Sequence, residues 1–242
     1  MNKMNKRTRY SKLKINEKVL VSVCSSLAYL CVGLVRAWAS TAVPSMTEEQ
    51  EELSEELSED MISWVVAAPP IGAITGSLLS FFFLRRLGRK ATIITSGLLF
   101  LTAFLCLGLS RQVGSPAMVL VFRAVSGTGV GLAVPSVSIF IAETVGAEHR
   151  GTLACLPALL HATGVLLCYV TGAFLPWHFL SYVCCLPALL LVLTVLPLPE
   201  SPAHLVNTNK REAAVTSYDW YRSAGLELAR SVLITRTERK LI

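Results

Sequence analysis

Six apolar stretches separated by short polar ones set the pattern of this 242-residue chain. They occupy residues 19–43, 61–84, 91–109, 116–143, 153–174 and 179–196. About 20 apolar residues at 1.5 Å rise each match the roughly 30 Å hydrocarbon layer of a bilayer, so each stretch is predicted to be a transmembrane helix. The first run starts only near residue 19, is too long for a signal-peptide core and lacks a small-residue cleavage pattern, which predicts a retained span. The predicted fold is all-α, a six-helix membrane bundle. Its expected parts are a basic tail over residues 1–18, the bundle over 19–197, and a hydrophilic segment with a tail over 198–242.

Residues that interrupt the apolar runs carry the next layer of information. In the fourth run Gly127, Gly129 and Gly131 recur at every second position, followed by Pro135. Glycine costs helix propensity, so three in one helix point to a close backbone neighbour, although membrane helices are glycine-rich in any case. Gly72 and Gly76 in the second run are four apart and follow Pro69-Pro70, which predicts a bent, tightly packed helix. Arg36 lies eighteen residues into the first span. At that depth it either snorkels to the outer interface, within reach of the acidic stretch beyond, or faces a wet cavity. Arg123, near the outer end of the fourth span, either snorkels or bonds to backbone carbonyls of a neighbouring helix. In the fifth span Ala158, His161 and Gly164 follow one another at intervals of three and share a face. A membrane histidine is commonly structural, but His161 has few polar neighbours to satisfy it, which makes it a candidate ligand contact.

Composition and charge narrow the function. The chain is 53% hydrophobic and 16% charged, too apolar for an ordinary soluble domain. Its net charge of +6 is unevenly placed. Residues 1–18 hold seven Lys or Arg against one Glu, Arg85, Arg86, Arg89 and Lys90 are all basic, and residues 47–60 hold eight acids and no base. This is a topology signal with cationic segments on the cytoplasmic side, and it argues against nucleic acid as a partner. The basic tail is expected to be disordered and to lie on anionic lipid heads. The acidic stretch, with Leu53 and Leu57 four apart, is expected to be a solvated charge run or a short amphipathic helix on the outer surface. All seven cysteines sit in apolar runs, without the spacing of a metal site or disulfide framework. No span presents a nucleophile and base at helical spacing, so no catalytic residue, metal or cofactor is expected.

Three motifs carry a resemblance. The run RAVSGTGVGLAVPSVSIFIAETVGAEHRG (123–151), LRRLGRK (84–90) and PESPAHL (199–205) resemble, in the same order, the fourth span with its loop, the loop between spans two and three, and the signature after span six of sugar porters of the major facilitator superfamily. The run TLACLPALLHATGVLLCYVTG with Trp177 is most similar to the insect facilitated trehalose transporter branch. The resemblance implies that Gly88, Arg89, Lys90, Glu143, Arg150 and Glu200 form a charge cluster that latches the cytoplasmic side, with Arg89 pairing to Glu143. It implies that the face bearing Ala158, His161 and Gly164 lines the sugar pathway, with Arg36 as a further candidate. Two departures stand out: Arg85 replaces the family's acid in the loop, and Ala158 replaces a glutamine that many sugar porters use on sugar hydroxyls. Trp177, after Pro176, is expected to be an interfacial aromatic.

In the family six spans form half of a molecule whose substrate site lies between two such halves. The expected function is therefore facilitated transport of trehalose or a hexose by alternating access, from a half-length or partial form in the plasma membrane with both termini cytoplasmic. Its expected partners are the sugar, the lipid bilayer and a second six-span unit. No carboxylate lies within a span other than Glu143 at an inner end, which argues against ion coupling. The alternative is a non-transporting half-carrier that dimerises with, or regulates, full-length transporters.

Overall fold

The computed structural model describes residues 2–48, 59–145 and 147–223. In these, nine helices follow in order: α1 (Asn2–Glu48), α2 (Glu59–Arg86), α3 (Arg89–Val113), α4 (Pro116–Thr144), α5 (Ala147–Leu153), α6 (Leu156–Gly172), α7 (Trp177–Val195), α8 (Pro202–Asn207) and α9 (Arg211–Ser223). Six segments are long and apolar enough to cross a membrane: Val19–Thr47, Glu59–Arg86, Arg89–Val113, Pro116–Thr144, Arg150–Gly172 and Trp177–Val195. A helix meets its own backbone hydrogen bonds, which lipid cannot supply, so uniformly apolar runs of this length settle as spanning helices.

Three details differ from expectation. α1 begins at Asn2, so the backbone of residues 2–18 is helical where a disordered tail is expected. The fifth span is broken at Ala154 and Cys155, because Pro157 in the first turn of α6 has no N–H with which to continue the preceding helix. Cys155, at this break, is exposed instead of packed. The expected helix or charge run between α1 and α2 lies mostly outside the described residues.

The packing follows a two-fold scheme. α1 packs on α6, and α2 packs on α4. Behind them α3 packs on α4 and on α7, and α7 packs on α1. Exchanging spans one to three with spans four to six maps this set of contacts onto itself, as nested three-helix repeats require. The core, with Trp38, Phe100, Phe104, Phe140 and Leu180 fully buried, runs through the middle. Ile74, Leu78 and Phe81 of α2 and Leu186 and Leu193 of α7 stay exposed. Trp177 is 1% exposed, so its ring belongs to the core. It meets His178 edge-on and does not form part of an outward-facing aromatic belt.

Candidate functional site

Two tight helix pairs bracket the site. In the α2–α4 pair, Gly72 abuts the backbone of Ala124, Gly76 that of Thr128, Gly127 that of Pro69, and Gly131 that of Ala73 and Gly76. In the α1–α6 pair, Gly33 meets the backbone of His161, and Gly164 meets that of Leu30. At each of these positions a side chain would collide with a main chain, so glycine is what permits the approach. Gly72, Gly76, Gly127 and Gly131 have the role expected of them, whereas Gly129 faces the Phe100 ring instead of a backbone. Gly164 also meets a backbone, and it is buried in the α1–α6 contact instead of facing the pathway.

Between the pairs lies a cavity of about 1040 Å³, walled by α1, α2, α4 and α6. Its polar side chains are Tyr29, Arg36, Ser40, Arg123, Ser138 and His161, and the rest of the wall is largely aliphatic or proline. Tyr29, Arg36, Ser40 and Val43 recur at helical spacing and give α1 one cavity face. Arg36 thus takes the second of its two expected positions and lines the cavity, as do Ala158 and His161. Gly33 packs on the backbone of His161, and Arg36 lies one turn further along α1. The Tyr29 hydroxyl bonds to Ser138 Oγ at 3.2 Å, which ties α1 to α4 across the wall. His161 Nδ1 has no hydrogen-bond partner among the described residues.

Arg123 is 2% exposed and takes the carbonyl-bonding alternative. Its Nη1 donates to Val35 O at 2.9 Å and its Nε to Val65 O at 3.3 Å. The guanidinium lies 4.9 Å from the ring centroid of Trp38. Val65 is a specific partner: its usual donor four residues on is Pro69, which has no N–H. Arg123 supplies the missing donor, so one buried group satisfies another. By the same rule Pro44 and Pro70 deprive the carbonyls of Ser40 and Val66 of their usual donors, and both residues line the cavity.

A second cluster closes the bundle where α3 begins. Gly88, with φ at 98°, turns the chain, and a Cβ there would stand 2.6 Å from Glu200 Oε2. That space lets Glu200 Oε1 accept the N–H groups of Arg89 and Lys90 at 3.0 Å each. These are donors that the first turn of a helix leaves unpaired, and a carboxylate there also suits the helix dipole. Arg89 Nη2 pairs with Glu143 Oε1 at 2.7 Å, and Arg89 Nη1 lies 3.1 Å from His204 Nδ1. Glu143 Oε2 accepts from the Ser201 hydroxyl. The cluster thus joins α3, α4, α8 and the segment before α8. Burial lowers the His204 pKa, nearby Glu200 and Glu143 oppose the shift, and Arg89 and Lys210 add to it.

Most of the expected cluster is assembled, with two changes of role. Lys90 contributes its backbone N–H instead of an ammonium bond, and Arg150 makes no ion pair with Glu143 among the described residues. Ser201 and His204 are members that the charge pattern did not reveal. Tyr29, Ser138 and Trp38 were likewise missed, although the seven-residue interval from Tyr29 to Arg36 is a legible signal.

The Sugar (and other) transporter family model matches residues 21–235. A curated facilitated trehalose transporter Tret1-2 homolog from Drosophila simulans is 34% identical over 85% of this chain and 41% of its own length. Tret1 from Anopheles gambiae is 36% identical over 85% of the chain and 25% of its own. The chain thus spans 41% or less of the length of these two relatives. Among solved structures, the proton:xylose symporter XylE bound to 6-bromo-6-deoxy-D-glucose superposes with a TM-score of 0.80 at 22% identity, over 91% of this chain and 52% of that one. XylE from E. coli in a partially occluded inward-open conformation gives 0.74 at 23% identity, over 91% and 60%.

Proposed function

Because the chain belongs to the Sugar (and other) transporter family, as a six-span half of the major facilitator fold, we propose that it provides one wall of a facilitative carrier for trehalose or a hexose. A second six-span unit supplies the facing wall, and the two rock about a site between them. The 1040 Å³ cavity carries this proposal. Its volume is at the upper end of the usual range for small-molecule sites, and it is mostly apolar with a few fixed polar groups. Tyr29, Ser138 and His161 offer donors and acceptors to sugar hydroxyls, and the carbonyls of Ser40 and Val66 offer acceptors freed by Pro44 and Pro70. Aliphatic and proline surface suits the C–H faces of a pyranose.

Movement down the sugar gradient is part of the proposal, and the composition of this wall supports it. No Asp or Glu lines the cavity among the described residues, and a proton-driven porter of this kind needs a titratable carboxylate in the membrane. The basic segments at 1–18 and 85–90 support cytoplasmic termini and a cytoplasmic position for the Arg89–Glu143 latch, with the plasma membrane as the site of action.

The test is uptake of labelled trehalose and glucose into proteoliposomes holding the full chain, alone and with a co-expressed six-span unit, at neutral and mildly acidic external pH. Saturable uptake that requires the second unit and is insensitive to the proton gradient is expected. Uptake that collapses with the gradient refutes the uniport mechanism, and saturable uptake by isolated monomers refutes the need for a facing unit. A well-inserted chain that moves no sugar in either setting refutes the carrier function and leaves the non-transporting half-carrier.

A further inference from the structure

The charge balance of the cavity goes beyond a neutral sugar. Two guanidinium groups, Arg36 and Arg123, belong to its wall, together with the imidazole of His161. Among the described residues no carboxylate joins them. Arg123 is held by two carbonyls and the Trp38 ring, which solvate its charge without cancelling it. Arg36 is the contrasting case. It is exposed on the cavity face of α1, and no described residue gives it an ion pair or hydrogen bond. The nearest turn of α6 presents His161, whose Nδ1 is also without a partner. Glu143, at the far end of α4, is already committed to Arg89 and Ser201. A cation held in a partly apolar cavity with no counter-charge among the described residues favours an anion, and a guanidinium fork fits the two oxygens of a carboxylate or phosphate.

We infer that the sugars accepted by this cavity extend to, and favour, hexoses bearing a carboxylate or phosphate group, and that Arg36 receives the charged substituent. The inference rests on the sugar-carrier function proposed above and specifies its substrate class. Tyr29, Ser138 and His161 bind the hydroxyls, while Arg36 selects the charged substituent. The absence of a glutamine at Ala158 fits this division, since orientation comes from the charged end and not from a side-chain amide on α6.

Equilibrium binding to the full chain in lipid nanodiscs tests this, with tritiated glucose, glucuronate and glucose 6-phosphate as probes and sodium sulfate as competitor. The charged sugars are expected to bind at least tenfold more tightly than glucose, a difference of about 1.4 kcal/mol. Whichever of the two binds better identifies the anionic group. Arg36→Gln is expected to erase the preference while leaving the melting temperature unchanged, because Arg36 has no hydrogen bond or ion pair to lose among the described residues. Arg36→Lys should retain most of it. Equal affinity for charged and neutral sugars overturns the inference and leaves the sugar carrier intact. A preference that survives Arg36→Gln overturns the role of Arg36. Sulfate binding that depends on Arg36, with no sugar bound, overturns the sugar component here and above. Failure of every probe to bind a folded, monodisperse chain co-reconstituted with the second six-span unit overturns both.

Discussion

Replacing Gly127 with alanine tests whether the α2–α4 contact holds one wall of the cavity. A Cβ at residue 127 would stand 2.6 Å from Pro69 Cα and 2.7 Å from Pro69 C, whereas carbon atoms pack at about 3.5–4.0 Å. The helices must therefore separate by about 1 Å. The same shift loosens the contacts at Gly72, Gly76 and Gly131 and stretches the 3.3 Å bond from Arg123 Nε to Val65 O. Overpacking of this kind costs about 1–3 kcal/mol, and alanine recovers about 0.5–1 kcal/mol of helix propensity. The net loss is about 1–2 kcal/mol. At about 2–4 °C per kcal/mol for a chain of this size, Gly127→Ala should melt about 2–8 °C lower in detergent. A thiol-reactive dye that reports exposure of the buried Cys31, Cys168 and Cys184 reads the transition. Gly151→Ala is the internal control, because a Cβ there meets nothing within 4 Å, so that variant should melt at or slightly above the parent. If Gly127→Ala melts together with Gly151→Ala, the helices do not touch as described and the argument for a glycine-locked wall fails.

Two further predictions concern the charge cluster. The Arg89 and Glu143 side chains are only 16% and 20% exposed, so their pair falls between exposed pairs, worth about 0–1 kcal/mol, and buried ones, which cost about 3–5 kcal/mol to break. Arg89→Met and Glu143→Gln should each destabilise by about 1–3 kcal/mol and, in a double-mutant cycle, show a coupling of about 1 kcal/mol, whereas additive losses in melting would refute a direct bond. His204, whose ring faces Arg89 and whose pKa is lowered chiefly by burial, stabilises the fold while neutral. That contribution is fully present above the unfolded-state value of about 6.5 and is lost as pH falls through the lower folded value. The melting temperature should therefore drop more steeply below about pH 6.5 in the parent than in His204→Gln, and parallel profiles would exclude His204 as the sensitive group.

Much of the fold was legible because its signals are local. Runs of about 20 apolar residues specify spans whatever surrounds them, and glycines four apart pick out a helix face even without the partner being known. The latch pair was legible for another reason: the motifs at 84–90 and 123–151 resemble those of the sugar porters, and that resemblance implies the pairing of Arg89 with Glu143 at the loop ends of their spans. The misplacements involve direction. Trp177 sits at the start of a span, as an interfacial aromatic does, but the turn at Pro176 aims it inward. Gly164 has the spacing of a cavity residue and instead marks where Leu30 approaches. Sequence interval fixes the face of a helix but not which neighbour that face meets.

The same distinction explains the two arginines. Both are charges inside apolar runs, and each left two positions open on sequence grounds. Their resolution depends on backbone chemistry that hydropathy does not measure. Pro69 removes the N–H that would have satisfied Val65, and Arg123, brought alongside by the glycine contacts of α4, fills that vacancy and becomes structural. Among the described residues no such carbonyl bonds to Arg36, and its charge stays at the cavity surface. A proline four residues beyond a carbonyl that faces a buried cation is therefore the feature that separates a packing arginine from a ligand-facing one in this bundle. The two should respond differently to substitution: a neutral side chain at residue 123 disturbs the fold, while one at residue 36 disturbs only what the cavity binds.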